Sequence, residues 1–236
     1  MQNPLILNVT NYVAMNFSAN ALLAMGASPL MSSEPLEMKE LTSLCSALVI
    51  NIGCLESRQA EAMLIAAKEA EALGKPWVLD PAGVGASRFR AETVHKLICC
   101  HPTIIRGNAS EILFLAGMES SAKGVDTGED SSEAVEAGKK LAMETGAVVS
   151  ISGPTDFVTD GNEVICITGG SPLAPRVTAM GCVASAVTAA FAAGDGNAMN
   201  AAADAMRQMK KAAEAAEGTS NGPGTFAANF IDALSK

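Results

Sequence analysis

Cys182 stands where a loop turns into a helix. Arg176 is followed by Val177-Thr178-Ala179-Met180-Gly181-Cys182, and an uncharged, Ala-rich run leads on to Phe191 and Gly194. That pattern predicts a buried helix with a thiol in its first turn. Free backbone N–H groups at a helix start attract an anion and lower the pKa of a thiol placed among them. A phosphoryl group in transit needs such donors. The same thiol also reads as a small core residue under a helix. Position alone leaves both readings open.

Two further clusters could work with it. Arg106-Gly107-Asn108-Ala109-Ser110-Glu111 puts Asn108 and Glu111 three apart at a helix start, so their side chains share a face. The pair can hold a hydrated Mg²⁺ while Arg106 reaches a phosphate with its forked donors. The alternative is a capping box, with Asn108 as N-cap and Glu111 reaching back. Asp80-Pro81-Ala82-Gly83-Val84-Gly85 ends a strand in an acid followed by two glycines. It reads as a carboxylate for a metal ion near phosphates, or as an Asp-Pro turn. Lower in specificity, Ser152-Gly153 and Lys123-Gly124-Val125-Asp126 offer hydroxyl, amide and carboxylate groups to a nucleotide, or form solvated loops.

The elements that would position these groups alternate. Strands are expected at Leu5–Val9, Pro29–Met31, Ala47–Ile52, Trp77–Asp80, Thr103–Arg106 and Val148–Ser152. Helices are expected at Tyr12–Met25, Pro35–Leu44, a segment capped by Ser57 and stopped by Gly74, Ala91–Ile98, Asn108–Ala116 and Ser131–Thr145. Asp160-Gly161-Asn162 between two short apolar runs signals a hairpin. From Gly181 onward the chain reads as nearly all helix, with Gly222-Pro223-Gly224 bounding the last one. This order implies an α/β protein, a three-layer α/β/α arrangement around a mostly parallel sheet with an antiparallel edge. We read one domain over residues 1–236. Ligands collect at the C-terminal ends of such strands. Those ends carry Thr10-Asn11, Met31-Ser32, Asn51-Ile52-Gly53-Cys54, Asp80, Arg106 to Glu111 and Ser152-Gly153.

Composition removes several classes. The net charge of −9 disfavours a nucleic-acid partner. The six cysteines form no C-x-x-C pair, and His95 and His101 are the only histidines, so a zinc site or a disulfide framework is not expected and a reducing cytoplasm is. The uncharged N-terminus lacks a basic segment and is broken by Asn8, Thr10 and Asn11, against a signal peptide. Val177 to Gly194 is too rich in Ala and Gly to read as a membrane span. No Gly-x4-Gly-Lys-Ser/Thr phosphate loop occurs, and neither histidine sits in a nucleophile context.

Taken together, Asn11-Tyr12-Val13, Gly26 to Met31, Asn51-Ile52-Gly53, Asp80-Pro81, Arg106 to Glu111, Gly124-Val125-Asp126 and Gly222-Pro223-Gly224 resemble hydroxyethylthiazole kinase in order and spacing from about residue 3 onward. The resemblance implies a ribokinase-like fold and phosphorylation of 4-methyl-5-(2-hydroxyethyl)thiazole by Mg-ATP, in thiamine biosynthesis or salvage. It also implies a homotrimer with the thiazole at a subunit interface. On it, Met31 contacts the thiazole with Asn11, Gly53, Cys54 and Ala179 nearby. Arg106, Ser152 and Asn108 bind ATP, and Glu111 with Asp80 holds Mg²⁺. Gly181 and Cys182 form the anion hole, Cys182 standing where sugar kinases carry an Asp base. Ala179 replaces a family Gly, Met180 a smaller residue, and Leu7 a frequent His. Related alcohols, hydroxymethylpyrimidine or a pyridoxal-like compound, are the neighbouring alternatives, and a non-catalytic ligand-binding relative is another.

Overall fold

In the computed structural model, residues 3–118, 128–194 and 196–235 are described. Eight strands form one sheet in the order β2-β1-β3-β4-β5-β6-β7-β8. They are β1 (Leu5–Val9), β2 (Ser28–Met31), β3 (Ala47–Asn51), β4 (Trp77–Asp80), β5 (Ile104–Asn108), β6 (Val148–Ser152), β7 (Asp156–Thr159) and β8 (Val164–Ile167). The first six are mutually parallel, and β7 and β8 run antiparallel at one edge. The expected Asp160-Gly161-Asn162 turn joins them. Gly161 takes a left-handed φ of 99°, and Asp160 Oδ1 accepts the amides of Asn162 and Glu163.

The strands are near-continuous apolar runs because the central ones are covered on both faces. Alternation divides their side chains between two cores. Ile6, Val49, Val78 and Ile104 pack under α1 (Met15–Ala24), α7 (Met180–Ala192), α8 (Ala198–Glu217) and α9 (Pro223–Leu234). Leu7, Leu48, Ile50, Leu79 and Ile105 pack under α2 (Met38–Leu44), α3 (Ser57–Ala72), α4 (Arg88–Ile98), α5 (Ala109–Leu115) and α6 (Gly128–Thr145). The result is the three-layer α/β/α arrangement the sequence implies.

α7 lies centrally against β3 and β4, with α1 and α8 beside it. Nine of its residues are buried, six of them Ala or Val from Val183 to Ala190 plus Ala192, Ser185 and Thr188 completing the set. Small side chains let it sit close to the sheet, and a helix enclosed on all sides carries no charge. That explains the uncharged run without a membrane. Among the described residues no helix is long and apolar enough to cross one.

Several boundaries differ from expectation. α1 begins at Met15, because Asn11 first folds the chain into a turn, its carbonyl accepting the amides of Ala14 and Met15. Ser57 is the first residue of α3 and caps nothing; the N-cap is Glu56. α6 starts at Gly128, before Ser131. β5 extends to Asn108, which carries Asn108 to the very end of the strand.

Candidate active site

Between β1 and β3 the strand order reverses direction, which opens a crevice beyond the C-terminal strand ends. Asn11 follows β1, and Asn51 ends β3 in register with Asp80 of β4. All three side chains are buried. Asn11 Oδ1 accepts the Ala14 amide at 3.0 Å, which turns its Nδ2 toward Asn51 Oδ1 at 2.8 Å and Cys182 Sγ at 3.4 Å. Asn51 Oδ1 also accepts the Gly53 amide at 2.9 Å, and its Nδ2 donates to Cys182 Sγ at 3.2 Å. Gly53 has to lack a side chain: a Cβ there would stand 2.5 Å from Asn11 Nδ2.

Cys182 is therefore reached from two strand ends at once. It lies two residues into α7, whose N-cap Ala179 adopts a left-handed φ of 67° and provides no side-chain cap. The first helical N–H groups, of Met180, Gly181 and Cys182, have no intrahelical acceptor, the arrangement that receives an anion. The expected lowering of the thiol pKa does not occur. Burial, first, and the Asp80 carboxylate push Cys182 up to about 11, outweighing the Asn11 and Asn51 hydrogen bonds and the charge of Arg106. The helix start acts on the open side, whereas the sulfur faces buried amides and an acid.

Asp80 is 3% exposed. Burial raises its pKa to about 6; Arg106 pulls it down and Glu111 raises it, and hydrogen bonds from Ser185 and Asn51 lower it. Ser185 Oγ donates to Asp80 Oδ2 at 2.7 Å, one turn beyond Gly181 on α7. Arg106 projects from β5 into the same space. It is 6% exposed, its Nε has no hydrogen-bond partner among the described residues, and its Nη1 lies 2.9 Å from where a Cβ on Gly181 would stand. A buried cation beside unused helix-start amides is a receptor for an anion.

Asn108 and Glu111 do form a capping box. Asn108 Oδ1 accepts the Glu111 amide at 2.9 Å, and Glu111 Oε2 accepts the Asn108 amide at 2.8 Å. Glu111 does more than cap: its Oε1 accepts the Gly83 amide at 2.9 Å, which locks the loop after β4 to the start of α5. The carboxylate is thereby held where its charge raises the Asp80 pKa. Among the described residues no three His, Cys, Asp or Glu side chains gather as a metal cage. Ser152 ends β6 beside β5, its Oγ donating to the Gly107 carbonyl at 3.4 Å. Cys54 is exposed with a left-handed φ of 49°, and Met31 is half-buried at the end of the edge strand β2, beyond β1. Lys123 to Asp126 lie outside the described residues.

Three supporting residues, Ser185, Arg90 and Lys210, escaped the sequence reading, and so did the contacts of Asn51, which it names. Ser185 orients Asp80. Asn51 links Asn11, Cys182 and Gly53. Arg90 Nη1 donates to the carbonyls of Ile52 and Ala82, tying two site loops together. Lys210 Nζ donates to the carbonyls of Gly153 and Pro154, 3.3 Å from the buried Asp156. Only the strand-end position of Asn51 offered a signal.

A family model described as the Hydroxyethylthiazole kinase family matches residues 1–236. The chain belongs to the hydroxyethylthiazole kinase family. A hydroxyethylthiazole kinase of Brachyspira hyodysenteriae is 49% identical over all of this chain and 89% of that protein. One of Escherichia coli K12 is 45% identical over 98% of this chain and 88% of that protein. The solved structure of a hydroxyethylthiazole kinase protein from Pyrococcus horikoshii superposes with a TM-score of 0.91 at 36% identity, covering 99% of this chain and 88% of that one. A Staphylococcus aureus pyridoxal kinase, solved with AMP-PCP and pyridoxal, matches with a TM-score of 0.69 at 16% identity over 90% of this chain and 88% of that one, and so shares the fold. The fold is the ribokinase-like one, and this member of the hydroxyethylthiazole kinase family is a kinase. Of its departures from the family pattern, Leu7 packs in the core on the α3 side of the sheet, away from Cys182, and Ala179 and Met180 sit half-buried at the start of α7.

Proposed function

We propose that the chain, working as one kinase domain, transfers the γ-phosphoryl group of ATP to the hydroxyl of 4-methyl-5-(2-hydroxyethyl)thiazole in thiamine biosynthesis or salvage. The carrying observation is the convergence of Arg106, Asp80 and the open amides of Gly181 and Cys182 at the mouth of one crevice. Asn11, Gly53, Cys54, Met31 and Ala179 border the acceptor side, and Arg106, Asn108 and Ser152 the nucleotide side.

Asp80 and Glu111 fit Mg²⁺. The ion usually takes one or two carboxylates and fills its remaining positions with water and phosphate oxygens. An acid pushed up by burial, and further by a second acid, is a donor that a divalent cation relieves. When bound, Mg²⁺ would offset charge on the ATP phosphates. The rest falls to the chain. Arg106 and the α7 amides receive the transferring group, and the crevice holds the alcohol in line with it. A thiol pushed up to about 11 is protonated at neutral pH, so Cys182 does not begin as a base. A loose transition state needs little base, because the attacking alcohol keeps its proton until late. Cys182 orients the hydroxyl.

Exposed Tyr12, Val13, Leu36 and Leu44 support self-association, which we read as a homotrimer with the acceptor site close to a neighbouring subunit. Six unpaired cysteines support a reducing cytoplasm.

ADP release with Mg-ATP and three alcohols tests the reading. Turnover with the thiazole alcohol at ten times or more the kcat/KM of hydroxymethylpyrimidine and pyridoxal is expected. Preference for either of those two, or binding without ADP release, overturns it.

A further inference from the structure

Asn51 is fully buried, and its side-chain oxygen is saturated. Its Oδ1 takes two donors, the Gly53 amide and Asn11 Nδ2. A backbone N–H can only donate, so the Gly53 contact fixes which end of the Asn51 amide is oxygen. The NH₂ end must then face Cys182 Sγ, at 3.2 Å, from the strand end next to Asp80, its register partner on β4. The Asn11 amide is fixed by the same logic, through the backbone amide of Ala14. Two backbone N–H groups thus dictate that two side-chain donors converge on one sulfur.

We propose that Asn51 is a positioning residue for phosphoryl transfer: anchored by Gly53 and Asn11 at the end of β3, it fixes the Cys182 sulfur by donating an N–H to it. This deepens the kinase reading and rests on it. With its acceptor positions taken by Asn11 and Asn51, the sulfur must direct its own proton away from both amides. The thiol is thereby aimed as a donor. Losing the Asn51 donor frees the thiol to turn.

Asn51→Asp tests this, because it preserves size and both acceptor contacts and converts only the donor end into oxygen. We expect kcat to fall at least 30-fold with KM for Mg-ATP within about threefold and a retained cooperative melt. Combined with Cys182→Ala, the double variant should lie within about threefold of the weaker single variant, since both act on one sulfur. A second readout does not need kinase activity: iodoacetamide modification of Cys182 at pH 8.5, followed by the mass of its peptide, should slow at least fivefold in Asn51→Asp. Asn51→Ser, which keeps an oxygen for the Gly53 amide, serves if the Asp variant does not fold, and should lower kcat at least tenfold. A kcat within threefold of the parent, fully additive losses, or an unchanged modification rate overturns the assignment. A parent chain that transfers no phosphoryl, while the modification rate still responds to Asn51→Asp, overturns the kinase reading and leaves the thiol contact standing.

Discussion

The guanidinium of Arg106 passes over Gly181 so closely that a methyl group on Gly181 would lie 2.9 Å from Nη1. Glycine at the second position of a helix is otherwise a poor choice, since Ala is favoured there by about 1 kcal/mol. The glycine is explained by the arginine. Gly181→Ala should therefore leave thermal stability unchanged or slightly raised while displacing a cation too buried to move freely. We expect kcat/KM for ATP to fall about tenfold or more, with the melting temperature within a few degrees of the parent. Unchanged ATP kinetics would detach Arg106 from the nucleotide.

Asp80 makes the site costly to the fold. Its folded-state pKa of about 6 lies above the ordinary 3.8, so the unfolded chain releases the proton first as pH rises. Below about pH 4 both states are protonated and the penalty is absent; it grows as pH rises and is complete above about 6. A shift of that size corresponds to roughly 3 kcal/mol as an upper bound. In metal-free buffer at pH 7.5, Asp80→Asn should melt higher than the parent by up to about 6–12 °C, given about 2–4 °C per kcal/mol for a chain of this length. The gain should vanish near pH 4, and activity should be lost. Calorimetry at the two pH values decides it.

Glu111 has two tasks, and Glu111→Gln separates them. The amide keeps one acceptor, so either the Asn108 or the Gly83 N–H loses its partner, at about 1 kcal/mol. That modest loss should show in the melt. If the carboxylate also serves Mg²⁺, turnover should fall far more, by about 100-fold at low Mg²⁺ and less when the ion is raised. Chelation of the parent with EDTA should abolish turnover and restore it on re-addition. A Glu111→Gln enzyme with the parental Mg²⁺ response removes Glu111 from the metal.

At Cys182, the thiol's raised pKa argues for orientation over proton removal. Cys182→Ala should cost about tenfold to 100-fold in kcat, at the low end of the range for a general base. Cys182→Asp presents an oxygen to the same Asn11 and Asn51 donors and should keep or raise activity. A folded but inactive Cys182→Asp enzyme would count against a polar group acting at this point.

Local signals carried the fold far. β1, β4 and β6 have the bounds expected of their apolar runs, because a buried parallel strand leaves a continuous hydrophobic stretch ended by a small or polar residue. α1 came out shorter because Tyr12 and Val13 look like helix residues yet stand exposed in a turn. The site residues were found through strand ends and resemblance, whereas their interactions were hidden. Asn51 meets Asn11 across 40 residues of chain and Cys182 across 131, and Ser185 meets Asp80 across 105. No local pattern encodes such contacts. The direction of the Cys182 shift was missed for the same reason: a helix start is visible in sequence, but the burial that dominates it and the Asp80 acid come from distant parts of the chain.

The central claim is that one crevice brings a phosphoryl group and an alcohol together at the start of α7. The most direct measurement follows the product by ³¹P NMR and mass spectrometry after incubation with ATP, Mg²⁺ and 4-methyl-5-(2-hydroxyethyl)thiazole. One thiazole phosphomonoester should form per ADP, with formation abolished by Glu111→Gln at low Mg²⁺. ADP accompanied by inorganic phosphate and no phosphomonoester, or no ADP from a folded chain, would contradict the account.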